Sequence, residues 1–238
     1  MRPSAILVTN KVRSQLGKQK ANLKSNPKPK IQLDFDFTFK SLKKHYPDAH
    51  CALNFANPYE LLVATMLSAQ CTDEKVNQVT PKLFNRFPNV KMMSLAPLEE
   101  IEKLIKSTGF FRNKAKNIKR SSELLVEKYK GQVPKTIEEL YELPGIGRKT
   151  ANVVLGNAYH IASGVAVDTH VTRLTNRFGW VKTQDAVKIE SRLNKIFPQK
   201  DWIMLSHYLI AHGRAICVAR SPKCQTCFFL DACPKLGV

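Results

Sequence analysis

The chain contains, at residues 143–155, the stretch Leu143-Pro-Gly-Ile-Gly-Arg-Lys-Thr-Ala-Asn-Val-Val-Leu155. Pro144 ends a helix there, and the glycines Gly145 and Gly147 permit a sharp turn with positive φ. A second helix then begins at Arg148, so the stretch predicts two helices joined by a tight hairpin.

This hairpin has the features of a phosphate-binding site. The first N–H groups of its second helix lack partners within the helix, and the helix dipole adds positive potential there. Gly145 and Gly147 would let a phosphate backbone approach closely, and Arg148 and Lys149 follow at once. The alternative is an ordinary helix–turn–helix corner in which the glycines serve only the turn. We favour phosphate binding because the whole chain is strongly basic.

The charge balance points to a polyanionic partner. The 238 residues include 38 Lys and Arg against 19 Asp and Glu, a formal net charge of +19. Binding of phosphates to such a surface is favourable because it releases their counterions. A hydrophobic content of 43% excludes a chain that is disordered throughout. The sequence has neither an apolar signal-peptide region nor a run of about 18 apolar residues, so we expect an intracellular protein without a membrane partner.

The first 30 residues hold eight Lys or Arg and no acidic residue. This composition predicts a disordered basic arm, which we place at residues 1–33. Three roles stay open for it: non-specific contact with the polyanion, a solubilising tail, or targeting to an organelle.

Beyond the arm, the sequence predicts an all-α protein. From Phe35 onward apolar residues recur mostly with helical periodicity, and few segments alternate as strands do. Lys149 falls outside the apolar stripe of its predicted helix, so it can line a cleft. Asp168 follows soon after and is a good N-cap for the next helix. Other helices are predicted over about residues 60–70, 97–109, 113–131, 185–197 and 202–212, with a capping box at Thr136 and Glu139.

Four of the six cysteines crowd into one segment, with the spacing Cys217-x6-Cys224-x2-Cys227-x5-Cys233. Zinc sites usually contain two close pairs separated by a longer arm, and here only the middle pair is close. Four thiolates within one loop suit a [4Fe–4S] cluster. Zinc is the second interpretation and four unligated thiols the third. The remaining cysteines, Cys51 and Cys71, are interpreted as buried or incidental.

Several of these motifs together resemble the helix-hairpin-helix DNA glycosylases, and most of all their endonuclease III branch. The likeness extends from about Phe35 to Pro234, which is nearly the whole chain apart from the arm. It rests on the stretches Leu143–Leu155, Val167–His170, Asn57–Leu62, Leu67–Gln70 and Gly109–Ile118, and on the four late cysteines.

The resemblance implies a two-lobed fold with duplex DNA between the lobes. Residues 52–161 would form a six-helix barrel that includes the hairpin. Residues 34–51 and 162–238 would form the lobe that holds the iron–sulfur cluster. Such glycosylases usually act as monomers, and the sequence has no repeat or heptad pattern that would suggest otherwise. The expected location is the bacterial cytoplasm, bound to the nucleoid, or the nucleus or an organelle in a eukaryote.

The implied activity is that of a bifunctional DNA glycosylase and abasic-site lyase. Its substrate would be double-stranded DNA that contains oxidised pyrimidines or abasic sites. The resemblance places the nucleophilic amine on Lys149 and a carboxylate that stabilises the developing oxocarbenium charge on Asp168. A desolvated pocket beside other cations would favour the neutral amine that attack requires. His170 is interpreted as a structural residue.

The resemblance also implies which residues fill the gap that a flipped base leaves in the duplex. Gln70 would insert from one loop, and Phe110 would act as a wedge where the family commonly has an aliphatic residue. Phe111 is the alternative wedge. The anchor on the DNA backbone would be formed by Gly145, Gly147 and Arg148.

Two other functions share some of these features. A related adenine glycosylase would carry a carboxylate at Thr65, would lack the lysine at Lys149, and would add a C-terminal domain after Cys233, where this chain ends at Val238. A non-catalytic DNA-binding module could use the same hairpin, but it would not require both Lys149 and Asp168.

Overall fold

The computed structural model describes residues 32–238, so all but the last two residues of the predicted basic arm lie outside the described residues. Within this range the chain is helical and contains no β-strand, which confirms the all-α prediction. Its α-helices are α1 (Phe35–His45), α2 (Pro58–Leu67), α3 (Asp73–Arg86), α4 (Val90–Ser94), α5 (Leu98–Ile105), α6 (Phe111–Tyr129), α7 (Ile137–Tyr141), α8 (Arg148–Tyr159), α9 (Thr169–Arg177), α10 (Ala186–Ile196) and α11 (Trp202–Ala215). Short 3₁₀ helices occupy Lys106–Thr108, Gln199–Asp201 and Cys224–Thr226.

Buried apolar side chains form two separate hydrophobic cores. The first core runs from Leu53 to Leu155 and joins helices α2 to α8. The second core combines Leu33 and Leu42 with residues between Val165 and Phe229, and it joins α1 to α9, α10 and α11. The lobe boundaries after residues 51 and 161 stay a prediction.

Helix α2 lies at the centre of the first core. Asn57 caps its N-terminus by accepting a hydrogen bond of 2.9 Å from the N–H of Glu60, and Pro58 occupies the first turn. Every residue from Leu61 to Leu67 is buried, as expected for a helix that is apolar on nearly all sides. The helix ends at Leu67, earlier than the predicted 70, because the chain turns there and Gln70 adopts a φ of 53°.

Polar N-caps begin most of the other helices, and two of them were predicted. Asp168 caps α9 through a 2.8 Å hydrogen bond from the N–H of Val171. Thr136 caps α7 by accepting from the N–H of Glu139 at 3.3 Å. The Glu139 carboxylate accepts from the Thr136 hydroxyl at 2.7 Å, whereas in a full capping box it would accept from the backbone N–H of Thr136.

Candidate active site, DNA-binding hairpin and cluster loop

The predicted hairpin is present between α7 and α8, and α6 supports it. Gly145 has a φ of 79°, and a Cβ placed there would lie 2.6 Å from the Asn117 side-chain nitrogen. The hydroxyl of Ser121 donates to the carbonyl of Pro144 at 3.1 Å. Glycine is therefore required at Gly145 both for its backbone conformation and for its contact with α6.

The expectation of positive φ at Gly147 is wrong. This residue is the N-cap of α8, with an extended backbone at φ −101° and ψ 177° that any residue can adopt. A Cβ there would meet no atom within 4 Å. The glycine thus leaves the first N–H groups of α8 uncovered, because no side chain stands in front of them.

Arg148 makes an ion pair that the sequence did not reveal. Its Nε lies 2.5 Å from Oε2 of Glu190 on α10, whose side chain is only 4% exposed. The other carboxylate oxygen accepts from the Asn152 side chain at 3.0 Å. The Arg148 side chain is still 44% exposed beside the N-terminus of α8.

Lys149 and Asp168 line the same cleft, one from α8 and the other from the N-terminus of α9. The inner part of this cleft lies between Leu53 and Val153, and a wider mouth beside it extends to Gln70 and Thr172. Lys149 is exposed, and Asp168 is half-buried. Oδ1 of Asp168 is held by the cap hydrogen bond to Val171, which fixes the direction of the carboxylate towards the start of α9.

Other residues of this cleft were missed because they come from distant parts of the sequence. Asp73 at the start of α3 pairs with Arg214 near the end of α11, with 2.5 Å between Oδ2 and Nη2. Cys51, previously interpreted as buried or incidental, also lines the inner cleft, and burial raises the pKa of its thiol. His207 lies there too, where burial lowers its pKa to about 4.

His170 lines the mouth of the cleft and is held there by a neighbouring arginine. The Nη2 group of Arg173 lies 3.1 Å from Nδ1 of His170. Because arginine can only donate, this contact is a hydrogen bond only in the form of the imidazole whose Nδ1 carries no proton. Burial lowers the pKa of His170, which agrees with the neutral form. This geometry supports the interpretation of His170 as structural.

The two predicted insertion residues lie near the hairpin. Gln70, Phe110 and Gly145 line one cavity of about 600 Å³. Gln70 and Phe110 both have left-handed backbone conformations, with φ values of 53° and 48°. Phe110 is 66% exposed, whereas Phe111 is half-buried and packs on the first core. Of the two phenylalanines, Phe110 has the exposure that a wedge needs.

The four late cysteines line a single cavity. They form no disulfide: Cys217 is buried, and Cys224, Cys227 and Cys233 are half-buried. Within residues 32–238, no three His, Cys, Asp or Glu side chains are grouped so that they could hold one metal ion. The four thiols line one common space, as the ligands of a four-iron cluster would.

Hydrogen-bond donors around these cysteines fit negatively charged thiolates. Nη1 of Arg177 lies 3.3 Å from Sγ of Cys217, and the N–H of Phe229 lies 3.4 Å from Sγ of Cys227. Arg177 is buried and makes no ion pair among the described residues, since its other contacts are backbone carbonyls. A negatively charged cluster on these four cysteines would neutralise that buried cation.

The chain is similar to known DNA repair proteins along most of its length. Residues 63–199 match a family described as HhH-GPD superfamily base excision DNA repair protein. Residues 217–233, which contain the four cysteines, match the iron–sulfur binding domain of endonuclease III. Among the helices of residues 32–238, none combines the length and apolar character that crossing a membrane requires.

Individual relatives and structures agree with these matches. Endonuclease III of Synechocystis sp. is 54% identical over 194 residues, which cover 82% of this chain and 89% of that protein. Endonuclease III of Bacillus subtilis is 44% identical over 199 residues, or 83% and 90% of the two chains. A solved structure of a trapped endonuclease III–DNA covalent intermediate is 44% identical, with a TM-score of 0.80, and the match covers 83% of this chain and 93% of that one.

Proposed function

Because this chain belongs to the endonuclease III family within the HhH-GPD superfamily of base excision DNA repair proteins, we propose that Lys149 and Asp168 perform its chemistry. The protein is a DNA glycosylase and abasic-site lyase that binds DNA and a [4Fe–4S] cluster. The observation that carries the residue assignment is the cleft itself, where an exposed amine and a fixed carboxylate from different helices line one space.

The damaged nucleotide must first leave the base stack, because its C1′ atom cannot be reached inside the duplex. In our proposal Gln70 and Phe110 enter the vacated space. The hairpin holds the DNA backbone meanwhile: Gly145 shapes the turn, Gly147 leaves the N–H groups of α8 open to a phosphate, and Arg148 adds positive charge beside them.

Base removal then proceeds by attack of the Lys149 Nζ lone pair on C1′, after water has taken a proton from the amine. A bond forms between Nζ and C1′ while the bond from C1′ to the base breaks, and its electron pair leaves with the base. Positive charge develops on the sugar as this bond breaks. The Asp168 carboxylate stabilises that charge by proximity, and its cap hydrogen bond keeps it oriented.

The same covalent link accounts for strand cleavage. The bound amine then passes a proton to O4′ as the C1′–O4′ bond breaks, which opens the sugar ring and gives a Schiff base between Lys149 and C1′. Water next takes the proton from C2′, and the electron pair of that C–H bond forms a C2′–C3′ double bond while the 3′ phosphate leaves, which is a β-elimination. Water finally hydrolyses the Schiff base and frees the lysine.

Four residues would hold the iron–sulfur cluster: Cys217, Cys224, Cys227 and Cys233. When bound, the cluster supplies a cross-link between four points of a loop that has little regular secondary structure. Arg177 orders the start of this loop by donating to the carbonyls of Val218 and Ala219 at 2.7 and 2.9 Å. We propose a structural role for the cluster on this basis.

The lesions that we propose are oxidised pyrimidines and abasic sites in double-stranded DNA, handled by a monomer. The inner cleft supports a polar lesion because the Asp73–Arg214 pair supplies both acceptors and donors at its wall. Since the relatives named above are bacterial, we also propose that the protein works at the nucleoid.

A borohydride trapping experiment tests this function. The protein is incubated with a duplex that contains thymine glycol, and borohydride is added to reduce the Schiff base to a stable adduct. We expect an adduct with the unaltered protein and with Lys103→Ala, an exposed lysine on α5, but none with Lys149→Ala. No adduct with the unaltered protein would refute the lyase mechanism, and an adduct with Lys149→Ala would refute the assignment of the nucleophile.

A further inference from the structure

A buried lysine lies between the two loops that carry the proposed insertion residues. We call residues 68–72, between α2 and α3, the Gln70 loop, and residues 109–110, before α6, the Phe110 turn. Lys114 on α6 is only 6% exposed. Its Nζ donates to the carbonyl of Leu67 and to the carbonyl of Thr108, both at 2.8 Å.

Each of these carbonyls lies directly before one of the loops. Leu67 is the last residue of α2, where helix carbonyls lack partners within the helix and the dipole is negative, so an ammonium is favoured there. Thr108 ends the 3₁₀ helix that leads into the Phe110 turn. One ammonium group therefore joins the base of the Gln70 loop to the base of the Phe110 turn.

The backbone of both loops needs such support. Gln70 and Phe110 have φ values of 53° and 48°, a region that costs a non-glycine residue about 1 to 2 kcal/mol. Conformations of this kind persist only where the surrounding structure determines them. Lys114 itself makes no ion pair within residues 32–238, and burial lowers its pKa. A buried ammonium without a carboxylate is unfavourable, so its benefit lies in its two carbonyl contacts.

We infer that Lys114 is a positioning residue for base extrusion, because its buried ammonium fixes the spacing between the Gln70 loop and the Phe110 turn. Without this ammonium group, the distance between the Gln70 and Phe110 side chains would vary. They would then be less able to take the place of the damaged base in the stack. This inference rests on the proposed roles of Gln70 and Phe110. It assigns Lys114 no contact with the reacting atoms.

Lys119 provides a matched control on the same helix. Its Nζ also donates to two carbonyls, those of Ser94 and Ala96, at 2.7 and 3.0 Å. These carbonyls belong to the connection between α4 and α5, not to either insertion loop. Replacing Lys119 with methionine therefore removes two comparable hydrogen bonds from α6. It leaves the hydrogen bonds of Lys114 to the carbonyls before the Gln70 loop and the Phe110 turn in place.

The test compares two reactions of the same protein under single-turnover conditions: removal of thymine glycol from a duplex, and cleavage of a preformed abasic site. Extrusion limits only the first, since an abasic sugar has no base to unstack. We expect Lys114→Met to slow thymine glycol removal by about 10- to 100-fold, the range that a misplacement of about 1 Å can produce. The rate of abasic-site cleavage should fall by a clearly smaller factor. Lys119→Met should leave the ratio of the two rates as it is in the unaltered protein.

Two further variants keep the test decisive. Lys114→Arg retains the charge and several donors, so it should remove thymine glycol faster than Lys114→Met does. If the two variants remove thymine glycol at the same rate, the inference is overturned. Lys114→Gln, with a neutral donor, supplies the same comparison if the methionine variant folds poorly. Equal losses on both substrates, or losses matched by Lys119→Met, would also overturn it. A wild-type protein that forms no trapped adduct would instead refute the proposed function.

Discussion

The guanidinium of Arg148 and the carboxylate of Glu190 form an ion pair, with 2.5 Å between Nε and Oε2. The two residues lie 42 positions apart, and the pair joins the first turn of α8 to α10. Because Glu190 is buried and Arg148 is half-exposed, the pair fixes Nε of the guanidinium while much of the Arg148 side chain remains exposed beside the hairpin. The hairpin is thereby connected to a helix of the second core.

This arrangement predicts different effects for the two partners on DNA binding. Arg148→Met removes the ion pair, and Glu190→Gln leaves only one oxygen to accept from Arg148 and Asn152, so each should lower the free energy of unfolding by about 1.5 to 3 kcal/mol. Only Arg148→Met also removes a phosphate contact, so it alone should reduce the slope of log affinity against log salt by about 1. Binding titrations at several salt concentrations measure the slope, and equal slopes for both variants would show that Arg148 meets no phosphate.

The Arg148–Glu190 pair illustrates what the sequence could and could not reveal. The hairpin, the Asp168 cap and the cysteine loop were predictable because each depends on residues a few positions apart. Glu190 was not, since nothing local links it to Arg148 and only the packing of α8 against α10 brings them together. The Asp73–Arg214 pair escaped prediction for the same reason, with 141 positions between its members.

The two hairpin glycines should respond in opposite ways to alanine. At Gly147 the methyl meets nothing within 4 Å and the backbone is unstrained, so Gly147→Ala should cost at most about 1 kcal/mol of stability. The same methyl would occupy the approach of a phosphate, and affinity for DNA should fall on the order of tenfold. Gly145→Ala, with positive φ and a contact of 2.6 Å to Asn117, should mainly lose stability. Thermal melting and DNA titration of both variants would reveal any reversal of this pattern.

The two glycines show that one short motif can contain two different backbone conformations. Both stand in the same short stretch, and the sequence suggested positive φ for both. The structure requires it only at Gly145, because Gly147 serves as the N-cap of α8 with an extended backbone. The role of a glycine depends on its position relative to the first residue of the helix. The sequence alone does not fix where that helix begins.

The cap and the proposed catalytic charge of Asp168 can be separated with asparagine. Asn caps helices about as well as Asp, so Asp168→Asn should retain stability, whereas Asp168→Ala should lose about 1 kcal/mol. Both variants lack the carboxylate charge, and each should slow removal of thymine glycol by about 100- to 1000-fold. Cleavage of a preformed abasic site should suffer less because no base has to leave. If Asp168→Asn removes thymine glycol at the normal rate, the only role of Asp168 is to cap α9.

The adjacent phenylalanines offer a test of the wedge. Phe110 is 66% exposed, so Phe110→Ala should change the free energy of unfolding by no more than about 0.5 kcal/mol. Phe111 packs on the first core, and Phe111→Ala should cost about 1 to 2 kcal/mol. If Phe110 is the wedge, Phe110→Ala should slow extrusion of the lesion and Phe111→Ala should not. A fluorescent base analogue placed opposite the lesion reports the rate of extrusion. A slower signal with Phe111→Ala alone would reverse the assignment.

His207 should make the stability of the protein depend on pH. Burial lowers its pKa from the ordinary 6.5 to about 4, and its Nε2 lies 2.8 Å from Oδ1 of Asn157. As the pH falls below 6.5, the unfolded chain takes up a proton that the folded chain resists. Stability from this residue is therefore complete above that pH and is lost progressively towards about pH 4.

The measurement compares the unaltered protein with His207→Gln, which can still donate to Asn157 but does not titrate. Between about pH 7 and about pH 5, the free energy of unfolding of the unaltered protein should fall by about 2 kcal/mol more than that of the variant. Chemical denaturation at each pH provides both values. Because the other titrating groups are common to the two proteins, their contributions cancel in the difference, and parallel pH profiles would mean that His207 is not held neutral.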